Sequence, residues 1–266
     1  AADPANGVRP VAVILAAGKG TRMKSDLPKV VHPIGGRPMV CAVVDACLAA
    51  GCESVVAVVG YQREKVEEAL AQYGDSVSFA LQAEQLGTGH AVRSAEAELR
   101  GLDPATPVLV LCGDGPLIRA ETIGLMLARH AETGAAATLA TSVIDDPSGY
   151  GRIVRDADGG FVAIVEQKNA TPEQLEIREV NPSYYCFTAG DLLRSLDGVQ
   201  RNELTGEYYI TDVPALLLAE GRGVEVIDAV PPEDILSINT PEQLAEVDRV
   251  FRERSSSATA LNGGRS

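Results

Sequence analysis

The sequence predicts a doubly wound α/β fold with a mostly parallel sheet, and three observations predict it. Continuous apolar runs suited to strands buried on both faces alternate with segments of helical periodicity. The 266 residues are 45% hydrophobic and 23% charged, enough apolar material for a large core in one α/β domain or in one with a small appendage. No repeat of 20 to 50 residues recurs, so a solenoid is excluded.

The elements follow in order. Residues 1–9, AADPANGVR, are polar and contain Pro and Gly, and are expected to form a disordered tail. VAVILA (11–16), SVVAVV (54–59), VSFALQ (77–82) and PVLVLC (107–112) read as four strands. Over 38–50, Val40, Val43, Val44, Cys47 and Leu48 recur at helical spacing, with Pro38 suited to the first turn and Gly51 to the stop. Segments 62–73 and 90–99 repeat that pattern and end at Gly74 and Gly101. Strand, helix, strand, helix is the grammar of parallel βαβ units.

In the second half, strands are expected at 136–143, 151–155, 161–165, 183–188 and 224–229. Helices are expected near 121–132, 190–196, 212–220 and 241–253. GYGRIV, DADGG and FVAIVEQK together read as a β-hairpin that would form a wall for substrate. The Ser/Gly-rich stretch 255–266 is expected to be a second disordered tail, which leaves 10–254 as the folded domain.

Charge and composition exclude several classes. With 23 basic and 37 acidic residues, the net charge of −14 opposes nucleic-acid binding by counterion release and disfavours an anionic membrane. The apolar run Val11–Ala17 is far shorter than the roughly 20 residues of a membrane span, and without a basic leader it does not read as a signal peptide. The five cysteines include no C-x-x-C pair, and the three histidines have no zinc-ligand spacing, so reduced thiols in the cytoplasm are expected.

In open parallel sheets, ligands bind at the carboxyl ends of the strands. After the first strand, Gly18 and Gly20 allow close backbone approach to phosphate oxygens, and Lys19, Arg22 and Lys29 supply local positive charge on an acidic chain. The loop lacks the earlier glycine of a Walker loop, and Met23 stands where a dinucleotide fingerprint needs its third glycine. After the fourth strand, Asp114 lies among small residues, a place suited to a hard cation that bridges phosphates or to a turn.

LAAGKGTRMKSDLPK, LQAEQLGTGHA, LVLCGDGPLI, GYGRIVR, IVEQKNAT and GEYYITD occur in that order. Over about residues 10–253 the chain thereby resembles the uridyltransferase domain of the bacterial bifunctional N-acetylglucosamine-1-phosphate uridyltransferase/glucosamine-1-phosphate acetyltransferase family, among the sugar nucleotidyltransferases. The resemblance implies a Rossmann-like nucleotide-diphospho-sugar transferase fold whose hairpin borders the sugar. It also implies a Mg²⁺-dependent reaction in which UTP and N-acetylglucosamine 1-phosphate give pyrophosphate and UDP-N-acetylglucosamine, a cell-wall (peptidoglycan) precursor.

Carried onto this sequence, the resemblance implies that Leu15, Ala16, Ala17 and Gly18 contact the nucleotide, with Gly20 and Thr21 beneath its phosphates. It gives the catalytic handling of phosphate charge to Arg22 and Lys29, and uracil recognition to Gln82 with Gly87 and Thr88 closing on the base. Asp114 and Asn239 would hold Mg²⁺, and Gly151, Glu166 and Asn181 would hold the sugar. His90 is assigned an N-terminal helical role rather than acid–base work, and Tyr208 and Tyr209 are assigned to packing.

The chain departs from the family in three places, one of them SINTPEQL around Asn239, where the bifunctional enzymes have G-V-N-[DN]-R. After Asn181 the family has a small residue and Gly, whereas this chain has Pro182-Ser183-Tyr184-Tyr185, whose tyrosines are expected to add bulk near the sugar pocket. No left-handed β-helix acetyltransferase domain is expected in a chain ending at Ser266, and a separate acetyltransferase is left open as a partner. No oligomeric state is assigned. Another sugar 1-phosphate, another nucleoside triphosphate, and an inactive nucleotide-sugar-binding regulatory module remain as alternative functions.

Overall fold

Alternate side chains of β1 (Val11–Ala16) enter two different cores. Ala12, Ile14 and Ala16 face one cluster, and Val11 and Val13 face the other. The sheet is therefore buried on both faces, as its unbroken apolar strands require. The computed structural model describes residues 8–23, 25–236 and 238–263; most of the expected tail 1–9 lies outside the described residues.

The elements after β1 are β2 (Pro33–Ile34), β3 (Arg37–Pro38), α1 (Met39–Ala49), β4 (Ser54–Val59), α2 (Arg63–Leu70), β5 (Val77–Leu81), α3 (Thr88–Ser94), α4 (Glu96–Arg100), β6 (Pro107–Cys112) and α5 (Ala120–Thr133). There follow β7 (Ala137–Val143), β8 (Gly151–Arg155), β9 (Phe161–Val165), α6 (Pro172–Leu175), β10 (Glu179–Thr188), α7 (Ala189–Leu196), α8 (Val213–Ala219), β11 (Val224–Asp228) and α9 (Pro241–Gly263). The main sheet runs β11-β7-β10-β6-β1-β4-β5, with the hairpin β8–β9 joined to β10. Helices α1, α2 and α5 cover one face, and α3, α4, α7 and α8 cover the other. No described helix is long and apolar enough to cross a membrane.

Along the main path of the sheet, β10 alone opposes its neighbours, pairing antiparallel with β6 and β7. Its amino-terminal half thus lies at the edge where the parallel strands end. It is longer than the strand expected at 183–188, because its register shifts between Val180 and Tyr184. Across that bulge β8 pairs with Val180 and Asn181. Ser183 takes φ +66° there, the left-handed conformation that glycine adopts without strain.

The helix expected over 90–99 divides into α3 and α4 at Ala95, whose φ/ψ of −92°/10° leaves the helical region. The stretch expected to be an unstructured tail from 255 is corrected. Helix α9 continues to Gly263, since adding residues to a formed helix costs far less than nucleating one, and no Gly or Pro interrupts 242–261. Ser255 and Ser256 direct their hydroxyls back to the carbonyls of Phe251 and Arg252, at 2.9 Å each.

A third, smaller apolar cluster joins Met23, Ile34, Met39, Leu117, Ile238 and Val247, with Phe251 packed against it. Asp234, only 2% exposed, pairs with Arg119 at 2.7 Å and with Arg254 of α9. The carboxyl-terminal helix is therefore fastened beneath the strand ends by both packing and charge.

His130, in the last turn of α5, lies 3.0 Å from Thr138 Oγ1 and 3.3 Å from Thr188 Oγ1. Burial pulls its pKa down to about 4, against the opposite pull of Asp191. Between its ordinary value of 6.5 and about 4 the unfolded chain binds more protons, so stability falls as pH falls through that window. The expected loss is on the order of 3 kcal/mol. Urea unfolding from pH 7 to pH 4 checks it, with His130→Gln expected to flatten that part of the dependence.

Candidate active site

Leu15, Ala16, Ala17 and Gly18 leave β1 at the carboxyl edge between β6 and β4. Gly113 N–H donates to the Leu15 carbonyl at 2.9 Å, and Tyr61 N–H donates to the Ala17 carbonyl at 3.0 Å. The loop is therefore tied on both sides. Thr21–Met23 form a single 3₁₀ turn, in which Met23 N–H donates to the Gly20 carbonyl at 3.0 Å. Met23 anchors that turn in the third cluster while Arg22 stays exposed. Lys19 extends over the Tyr61 ring, 5.2 Å from its centroid.

Arg22, Lys29, Asp114, Gly151, Glu166, Asn181 and Asn239 line one cleft of about 240 Å³. The structure thus gathers residues from six separate stretches of chain. Lys29 Nζ lies 2.6 Å from Asp114 Oδ2. Arg22 has no carboxylate partner among the described residues. Asn239 begins the turn into α9, where its N–H donates to Gln243 Oε1 at 2.7 Å.

On the far wall, Gly151 faces Asn181 across the β8–β10 pair, and a Cβ at Gly151 would lie 3.0 Å from Ile164 Cγ2. Glu166 follows β9 and accepts from Thr211 Oγ1 at 3.1 Å. Burial holds its carboxyl above the usual range, partly offset by that hydrogen bond. Asn181 is more committed than a free sugar ligand: its Oδ1 accepts from Ser183 N–H at 3.1 Å, and its Nδ2 donates to Tyr185 Oη at 2.6 Å. One amide hydrogen remains.

The tyrosines after Pro182 part company. Tyr184 lines the cleft, whereas Tyr185 is buried beside Phe187 with ring centroids 5.7 Å apart. The expectation of two bulky rings crowding the pocket is thus corrected, because neighbouring strand residues point to opposite faces. Cys112 also lines the cleft, but burial pushes its thiol up to about 12, so it is no thiolate nucleophile at neutral pH.

Gln82, Gly87 and Thr88 lie outside that cleft's lining, at the end of β5 two strands beyond β1. Gln82 Nε2 donates to the Gly87 carbonyl at 3.1 Å and lies 3.1 Å from His90 Nδ1. Thr88 Oγ1 accepts from Ile210 N–H at 3.0 Å, and Gly89 N–H donates to the Tyr208 carbonyl at 2.8 Å. Tyr208 and Tyr209 accordingly belong to a support behind this loop. Asp234 carries no local signal in the sequence beyond a carboxylate in an apolar setting.

Among the described residues, no group of three or more His, Cys, Asp and Glu side chains is placed to hold a metal. Asp114 and Asn239 bring one carboxylate and one carboxamide oxygen to the same cleft. That donor set fits a hard divalent cation that takes its other ligands from phosphate oxygens and water.

Residues 12–175 match the MobA-like NTP transferase domain. The bifunctional protein GlmU of Geobacillus thermodenitrificans is 47% identical over 247 residues, which cover 93% of this chain and 53% of that protein. GlmU of Pelotomaculum thermopropionicum is 48% identical over 246 residues, covering 91% of this chain and 52% of that protein. The chain thus spans about half the length of the curated relatives it matches. Among solved structures, apo UDP-glucose pyrophosphorylase shares the fold with a TM-score of 0.74 at 18% identity, covering 93% of this chain and 99% of that one.

Two glycines of the first loop are expected to behave differently. At Gly20, with φ +68°, a Cβ would lie 2.6 Å from Lys29 Cβ, whereas at Gly18 it would meet nothing within 4 Å. Gly20→Ala is expected to cost on the order of 2 kcal/mol, and Gly18→Ala to stay within about 0.5 kcal/mol. Thermal unfolding of the two variants checks the contrast.

Proposed function

Because the chain belongs to the MobA-like NTP transferase family, we propose that it transfers the uridylyl group of UTP to N-acetylglucosamine 1-phosphate with Mg²⁺, releasing pyrophosphate. The observation that carries this reading is the Lys29–Asp114 contact, in a cleft that also holds Arg22 and Asn239 on one side and Gly151, Glu166 and Asn181 on the other. The resemblance to the uridyltransferase family is the ground for this choice of base and sugar, and the similarity to GlmU proteins supports it. The proposal extends to nucleotidyl transfer only.

In the reaction, an oxygen of the sugar phosphate attacks the α-phosphorus of UTP, and the bond to the β-phosphate oxygen breaks. The nucleophile is already ionised at neutral pH, so no protein base is required. The work left to the chain is alignment and neutralisation of charge. Lys29 pairs with Asp114. An incoming triphosphate competes for Lys29 and releases the Asp114 carboxylate, which with Asn239 would hold Mg²⁺. The bound cation would draw charge from the phosphate oxygens.

Arg22, exposed at the cleft rim, is free to approach the pyrophosphate as negative charge gathers on it. Glu166 is an acceptor for sugar hydroxyls, and the remaining amide hydrogen of Asn181 is a donor. Gly151 leaves room that a side chain would close. Binding in this arrangement orients the sugar phosphate in line with the leaving group.

Pyrophosphate release with Mg²⁺, UTP and a panel of sugar 1-phosphates tests the proposal, with CTP, ATP, GTP and dTTP as controls. Release confined to UTP with N-acetylglucosamine 1-phosphate is expected. Asp114→Asn is expected to lower kcat by about 10³-fold or more while UTP still binds by calorimetry. UTP binding with no release from any pairing points to a regulatory binding module and overturns the enzyme reading.

A further inference from the structure

His90 sits in the first turn of α3, and its imidazole faces the carboxamide of Gln82, which is 3% exposed. The chemistry of that carboxamide can be deduced without seeing hydrogens. Gln82 Nε2 contacts the Gly87 carbonyl, which can only accept, so this end of the amide is the nitrogen. The second hydrogen on Nε2 then points to His90 Nδ1 at 3.1 Å. His90 Nδ1 is therefore the bare acceptor, and its ring proton resides on Nε2.

Both hydrogens of the Gln82 amide are consumed inside the protein, and only its carbonyl oxygen Oε1 remains to meet a ligand. Uracil carries an N3–H donor between its two carbonyls, whereas cytosine carries an unprotonated N3 acceptor. Gln82 Oε1 completes a hydrogen bond with the first and sets lone pair against lone pair with the second. Discrimination of this kind is strong, because a buried polar atom left unpaired is costly.

We propose that His90 is a positioning residue for base selection: by occupying one amide hydrogen of Gln82, it holds the carboxamide with its oxygen toward the pyrimidine and so favours uracil over cytosine. This inference rests on the proposed use of UTP, with the base at the end of β5. The surrounding backbone keeps the device in register. Gly87 takes φ +100°, and a Cβ there would lie 2.5 Å from the Tyr208 carbonyl, so only glycine can aim the carbonyl that fixes Gln82. Gly89 and Thr88 tie the start of α3 to Tyr208 and Ile210. The backbone that leads into His90 is thus fixed against the 208–210 segment.

The test compares the full chain with its His90→Leu and His90→Asn variants, measuring kcat/KM for UTP and for CTP with N-acetylglucosamine 1-phosphate. Leu removes the acceptor, whereas Asn keeps an oxygen near the position of Nδ1. His90→Leu is expected to lower the UTP/CTP ratio by about tenfold, the loss of one buried hydrogen bond, and His90→Asn to restore most of it. An equal fall with both nucleotides, leaving the ratio unchanged, overturns the inference.

A second readout does not depend on how the variants fold. With three histidines in the chain, ¹⁵N NMR of the unaltered protein resolves the His90 ring. At alkaline pH, where imidazole side chains carry a single ring proton, that proton is expected on Nε2, and a proton on Nδ1 there overturns the inference. Failure of the unaltered protein to use UTP at all overturns the functional reading on which it rests, an outcome distinct from a working enzyme whose selectivity ignores His90.

Discussion

Helices cover both faces of the central sheet, and this double burial dictates where chemistry can occur. Polar or charged side chains on either face would have to be desolvated and paired, so the strands β1, β4 and β6 are built almost wholly from apolar residues. The places left for functional groups are the strand ends. There the parallel strands release Leu15–Gly18, Gly60–Tyr61, Gln82 and Asp114 along one edge. The site is a consequence of what the sheet cannot hold.

The edge is organised from below by the third apolar cluster. Met23 precedes the stretch that carries Lys29 and follows Arg22, Leu117 follows the Asp114 loop, and Ile238 precedes Asn239. Packing one side of each segment into a shared core sets the spacing of the polar residues on the other side. Helix α9 closes that core through Val247 and Phe251 and adds the ion pair from Arg254 to the buried Asp234. Such a pair is weak support for net stability, but removing one partner would strand a buried charge, so it keeps the 232–236 segment in one arrangement.

Electrostatics follow the same division. The chain carries a net charge of −14, yet Arg22 and Lys29 face a single cleft. Local charge and not total charge decides what enters. Across the cleft, the partly desolvated Glu166 is held above the usual carboxylate range, and its hydroxyl partner Thr211 moderates that effect. Cationic and acceptor groups line the same cleft, an arrangement that favours a molecule bearing both phosphate and hydroxyls.

Much of this was legible in the chain. The apolar runs 11–16, 54–59 and 107–112 are strands with those same limits, and the intervening helical periods mark the helices of the first half to within a few residues. The loop after β1 and Asp114 after β6 stand out because short-range rules place ligands at strand ends. The full length of α9 was not legible, since its Ser-rich end has weak intrinsic preference and continues a helix nucleated by tertiary packing. Nor was the pairing of Lys29 with Asp114, 85 residues apart, or the turn of Tyr185 into the core. What the sequence by itself determined is the alternation of buried strands with amphipathic helices and the residue types at the strand ends, because these are set by local periodicity and backbone chemistry. What only the tertiary structure decided is which ends converge: the reversal of β10, its bulge and the docking of α9 bring Asn181, Glu166 and Asn239 to Asp114, and such contacts depend on packing between distant segments that no local pattern encodes.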